Sequence, residues 1–145
     1  MDIVKMALHE IAYFDISVPA SFPSPAADYV EESINLHDFL VKNSVATFLV
    51  KCTGLSMINA FIPPVAYLLI DRSVIPQNGD IVLAYLEGHG FTVKYLEKND
   101  FKCRLLPANP KFHPIEITEE SGLMVWGVVS KIISDPKDYK HVCFG

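Results

Sequence analysis

From residue 46 onward the chain is a succession of short apolar runs rich in Val, Ile, Leu, Phe and Tyr, over residues 46–52, 67–71, 80–86, 91–96, 101–106 and 124–133. Runs of this length and composition suit β-strands. Turn-forming quartets lie between several of them: Gln77-Asn78-Gly79-Asp80, Glu87-Gly88-His89-Gly90 and Glu97-Lys98-Asn99-Asp100. Tight turns can join only antiparallel neighbours, because parallel strands need a crossover of about a dozen residues or more. A chain punctuated this way has few options. The expected architecture is mainly β, a strongly curved antiparallel β body.

The amino-terminal third reads differently. Residues 13–18 alternate as a short strand. Ser24 or Pro25 can open a helix running to Glu32, and Ser33 or Asn35 can cap a second over residues 36–42, which stops at Asn43-Ser44. Between these, Pro19, Pro23 and Pro25 exclude helix and central strand alike. Short helices near the N-terminus and an extended N-terminal arm are therefore expected. An exposed, extended backbone is the shape that proteases bind, although the same composition suits a plain linker.

Length and charge narrow the function. A chain of 145 residues is one domain with a single sizeable core. Its net charge of −5, with no Lys/Arg cluster and no helix-turn-helix pattern, argues against a nucleic-acid surface of its own. No apolar run approaches the roughly 18–20 residues that span a membrane. The first twenty residues carry Asp2, Glu10 and Asp15 and lack a basic-then-apolar signal pattern, so a cytoplasmic protein is expected. Cys52, Cys103 and Cys143 form an odd set without a C-x-x-C pair, which suits reduced thiols. The five histidines lack ligand spacing and there is no Gly-rich phosphate loop, so neither a metal nor a cofactor is expected.

Two residues carry candidate chemistry. Ser56 lies in Thr53-Gly54-Leu55-Ser56-Met57-Ile58, a turn that lifts its hydroxyl off the end of a strand, and Lys94 lies within the strand-like run 91–96. A Ser-Lys pair can replace Ser-His-Asp in acyl transfer, provided the lysine is neutral. Both strand faces around it are largely apolar, with Phe91, Val93 and Tyr95 on one and Leu96 with Thr92 on its own, and burial there would lower its pKa. The backbone N–H groups of Ser56 and Met57 would then face the oxyanion. Ordinary turn chemistry for Ser56 and a strand lysine snorkelling to water remain open alternatives.

Several segments occur together and in order: Phe22-Pro23-Ser24-Pro25-Ala26-Ala27-Asp28-Tyr29-Val30-Glu31, Ser56-Met57-Ile58, Leu68-Leu69-Ile70, Gly79-Asp80-Ile81-Val82, Phe91-Thr92-Val93-Lys94 and Gly127-Val128-Val129. The set, spanning residues 20–133, resembles the LexA/UmuD family of S24 self-cleaving serine peptidases. That resemblance implies a LexA/signal-peptidase-like fold and a homodimer, with Ser56 as nucleophile and Lys94 as general base. It implies an N-terminal arm over residues 1–21, trimmed at a scissile Ala20-Ser21 bond, and a peptidase-like domain over 22–145. It further implies cleavage stimulated by the RecA–single-stranded DNA filament in the SOS response. The product would serve a UmuC-like Y-family polymerase subunit in translesion synthesis. A repressor role is not expected, since no winged helix-turn-helix precedes the cleavage segment. Three departures stand out: Ser21 replaces a glycine, Leu55 an aspartate, and Val65-Ala66 a Gly-Asp pair after Pro63-Pro64. They admit an alternative, a non-catalytic polymerase accessory protein that keeps the fold.

Overall fold

The computed structural model describes residues 9–22 and 30–139. The chain divides into two compact units between Lys42 and Asn43. In the first unit, β1 (Glu10–Asp15) and β2 (Val30–Asn35) form an antiparallel ladder from Glu10↔Asn35 to Asp15↔Val30. The strand expected at 13–18 thus lies three residues earlier. Ile16 N–H turns back to Phe14 O at 2.8 Å, which ends the ladder ahead of Pro19. The helix expected to reach Glu32 needs correction: Val30, Glu31 and Glu32 belong to β2, and residues 24–29 lie outside the described residues. Pairing with β1 and the β-branched Val30 and Ile34 outweigh the capping pattern. The second helix is present but shorter, as α1 (Leu36–Leu40), with Asn35 Oδ1 accepting from Asp38 N–H at 3.2 Å. Residues 16–22 are exposed and outside regular secondary structure.

The second unit holds one sheet of seven strands: β3 (Thr47–Cys52), β4 (Ala66–Asp71), β5 (Ile81–Leu86), β6 (Gly90–Lys98), β7 (Cys103–Leu106), β8 (Ile115–Ile117) and β9 (Leu123–Ile133). Their spatial order is β3-β4-β9-β5-β6-β7-β8 and every pair is antiparallel. The mainly β, antiparallel expectation is met, and each expected run is a strand. Residue 101 does not start β7, because Asn99 Oδ1 accepts from both Phe101 N–H and Lys102 N–H and keeps them in the turn. The short β8 was not expected.

Alternation along β5 buries both of its faces. Val82, Ala84 and Leu86 pack with Leu96, Leu105 and Val128, whereas Leu83 packs with Met57, Ile62, Leu68, Ile70 and Val93. β9 crosses between β4 and β5 and shifts register twice, passing over Ser130 beside Leu69/Ile70 and Trp126 beside Leu83/Ala84. Such bulges bend a sheet. The bend is large. β3 and β6 stand four strand spacings apart, about 19 Å in a flat sheet. Yet Ser56, just beyond β3, lies within hydrogen-bond reach of Lys94 on β6.

Gly127, buried on β9, marks the tightest crossing. A Cβ there would lie 2.5 Å from Ile70 Cγ2 and 3.0 Å from Asp71 O. Gly127→Ala is expected to lower unfolding free energy by about 1–3 kcal/mol through overpacking, read as a lower urea midpoint with an unchanged slope.

Candidate active site

β3 ends at Cys52, whose carbonyl accepts from Val65 N–H at 2.9 Å. Gly54 takes φ +91°, a left-handed backbone that suits glycine and lets the chain reverse. The reversal delivers Leu55, Ser56 and Met57. The Met57 side chain is buried in the core, and its carbonyl accepts from Ala60 N–H and Ile62 N–H at 3.0 and 3.3 Å. The turn is also held from outside. Ala108 N–H donates to Ser56 O at 2.8 Å, Asn109 Nδ2 donates to Leu55 O at 2.9 Å, and Asn59 N–H donates to Ala108 O at 2.9 Å. Among the described residues, the N–H groups of Ser56 and Met57 have no hydrogen-bond acceptor.

Lys94 extends from β6 and is only 8% exposed. Its Nζ has three oxygen partners: Ser56 Oγ at 2.9 Å, Thr92 Oγ1 at 2.7 Å and Val93 O at 3.1 Å. Three acceptors match the three protons of an ammonium. Burial nevertheless pushes the Lys94 pKa below the usual lysine value, opposed by the neighbouring Cys52. Burial likewise pushes the Cys52 thiol up, opposed by the charge on Lys94.

Ser56 and Lys94 face a cleft of about 380 Å³ whose apolar walls include Phe48, Val50, Phe91 and Trp126. Trp126, the residue that β9 passes over, meets Phe91 edge-on with ring centres 4.9 Å apart and lies 5.3 Å from the Arg72 guanidinium. The bulge on β9 therefore supplies a wall of the cleft. Two residues on the segment that follows Ser56 are strained. Phe61 (φ +64°) and Val65 (φ +71°) are left-handed, exposed and bulky. Val65 is the position where the resemblance expects glycine.

The structure thus brings Ser56, Met57 and Lys94 together, while Ala20 and Ser21 belong to the first unit, in exposed irregular chain. Sequence reasoning missed Trp126, Asn109 and the hydrogen bond between Lys94 and Thr92, although Thr92 precedes Lys94 by two on the same strand face. Trp126 enters through a register shift, and Asn109 meets Leu55 across 54 residues. Among the described residues no cluster of three His, Cys, Asp or Glu could hold a metal, and no helix is long and apolar enough to cross a membrane.

Residues 12–130 match the Peptidase S24-like family. The chain is 40% identical over 115 residues to protein SamA of Salmonella typhimurium, covering 79% of each chain. It is 33% identical over 127 residues to protein ImpA of Escherichia coli, covering 83% of this chain and 81% of that one. It is also 34% identical over 110 residues to the LexA repressor of Carboxydothermus hydrogenoformans, covering 74% of this chain and 53% of the repressor.

The lowered Lys94 pKa has a signed consequence. Between that value and the ordinary 10.5, the unfolded chain holds a proton that the folded chain has released, so stability rises with pH through this window. Below it, the fold bears the whole cost of a buried ammonium. Lys94→Met is expected to be more stable than wild type at pH 7, by about 1 kcal/mol. The gain should shrink as pH approaches 10.5, which urea midpoints measured across that range would show.

Proposed function

The chain belongs to the Peptidase S24-like family, and from that premise we propose that it is a self-cleaving serine peptidase in which Ser56 attacks the Ala20–Ser21 peptide bond with Lys94 as general base. The observation that carries this reading is the 2.9 Å contact between Lys94 Nζ and Ser56 Oγ, made by a lysine with almost no exposure to water.

The steps follow from that contact. Neutral Lys94 accepts the Ser56 hydroxyl proton as Oγ bonds to the Ala20 carbonyl carbon. Negative charge gathers on the Ala20 oxygen, to which the N–H groups of Ser56 and Met57 donate. Lys94, now an ammonium, keeps Thr92 Oγ1 and Val93 O as partners and gives its new proton to the Ser21 nitrogen as the C–N bond breaks. Water, activated by the same amine, then hydrolyses the Ala20 ester, regenerates Ser56 and releases residues 1–20. Because nucleophile and target share one chain, the effective concentration is high and a modest catalytic pair suffices.

The resemblance extends this reading to biology. The protein acts as a homodimer in the SOS response, and the trimmed body serves a UmuC-like Y-family polymerase subunit in translesion synthesis. A RecA–single-stranded DNA filament promotes cleavage by stabilising the arm in its reactive placement.

Mass spectrometry after incubation near pH 10, close to the ordinary lysine pKa, is expected to show loss of residues 1–20 from wild type. Ser56→Ala and Lys94→Ala should remain intact, with rates down by about a thousandfold or more. The wild-type rate should climb with pH and level off above the lowered Lys94 pKa, because only the neutral amine accepts the proton. Cleavage that persists in Lys94→Ala would overturn the base assignment. Wild-type protein that stays intact even with RecA, an ATP analogue and single-stranded DNA would leave the non-catalytic accessory reading.

A further inference from the structure

We infer that Asn109 is a positioning residue that sets the orientation of the Ser56 turn, an inference that rests on the Ser56–Lys94 reading. Asn109 is 7% exposed, one of few polar side chains so deeply buried among the described residues. A buried amide has to satisfy its donors and acceptors, so its partners indicate what it holds in place. Its Nδ2 donates to Leu55 O at 2.9 Å and its Oδ1 accepts from Lys111 N–H at 3.0 Å. One side chain thereby ties the Ser56 turn to the segment that follows β7.

The consequence lies in the two peptide planes flanking Ser56. Leu55 O shares a plane with Ser56 N–H, and Ser56 O shares the next with Met57 N–H. In a trans peptide the carbonyl and the N–H point in opposite directions. Asn109 draws Leu55 O towards residues 108–109, and Ala108 N–H draws Ser56 O the same way. Both N–H groups are therefore turned away from that segment, in the arrangement that two oxyanion donors need. Ser56 Oγ hangs from the same fixed Cα. Apart from the Asn109 side chain, the one donor to Leu55 O among the described residues is the backbone N–H of Ile58, at a long 3.4 Å. The side chain of residue 109 thus controls the first of the two planes, and a main-chain bond controls the second.

The test uses the full chain and two substitutions. Asn109→Ala removes the amide. Asn109→Asp keeps its size and its acceptor for Lys111 N–H, but places a carboxylate with no N–H against Leu55 O. Self-cleavage is followed by mass spectrometry from pH 7 to 10.5, with urea midpoints measured in parallel. The reaction of Ser56 with a small fluorophosphonate is also followed, since it needs no arm. Both variants are expected to lower the plateau cleavage rate by about a hundredfold, the scale of an ångström-sized misplacement. The fluorophosphonate rate should fall with it. In Asn109→Ala the pH midpoint should stay at the wild-type value, because the surroundings of Lys94 are unchanged.

A wild-type plateau in Asn109→Asp would overturn the inference, since the missing donor would then be irrelevant. So would a midpoint in Asn109→Ala that moves up towards an ordinary lysine, the mark of general loosening around Lys94. Wild-type protein that neither self-cleaves nor reacts with the fluorophosphonate would instead remove the Ser56–Lys94 reading, and this inference with it.

Discussion

An amine taken out of water loses its hydration at a cost of several kcal/mol unless other polar atoms take the place of water, and the seven-stranded body is arranged around one such amine. Two of the partners of Lys94 are local: Thr92 Oγ1 and Val93 O belong to the same strand and would be nearby in any strand conformation. The third, Ser56 Oγ, comes from beyond the far edge of the sheet. The local pair makes burial tolerable, and the distant partner sets a serine hydroxyl against the amine. Apolar walls from Phe91 and Trp126 line the cleft it faces, and burial lowers the Lys94 pKa. The curl of the sheet, the bulge at Trp126 and the close crossing at Gly127 all serve the meeting of these two side chains.

What could be read from the sequence follows from how local each determinant is. Strands β3 to β7 and β9 announce themselves through apolar runs and turns, and their limits shift by only one or two residues, as where Asn99 holds back the start of β7. β2 was mistaken for helix because its strand character comes from a partner twenty residues earlier, while its own sequence offers caps and carboxylates. The insertion of β9 between β4 and β5 leaves no mark in either neighbour. At the site, Ser56 and Lys94 were legible as residue types in a suggestive setting. The main-chain carbonyls that Ala108 and Asn109 hold were not, because a backbone acceptor looks the same at every position.

Strain is concentrated on the chain that leaves Ser56. Phe61 and Val65 each hold a left-handed backbone that costs a side chain with a Cβ about 1–2 kcal/mol. Between them lie Ile62, 1% exposed, and Pro63, also fully buried. Burial of this pair fixes the path of the segment and offsets the strain on either side. The Val65 N–H bond to Cys52 O then closes the loop onto the end of β3. Where the resemblance expects glycine, the backbone keeps a glycine-like shape and the protein tolerates valine in it.

The place of β9 also governs how the two halves of the sheet are coupled. Strands β3 and β4 form one ladder and β5 to β8 another, and in the sheet β9 alone bridges them. Ser56 follows the first ladder and Lys94 lies in the second, so the main-chain route between them within the sheet runs through β9. The hydrogen bonds from Ala108 and Asn109 to the Ser56 turn form a second tie that bypasses β9. The pair is thus clamped from two directions, and any slip of one half-sheet against the other would register at their contact.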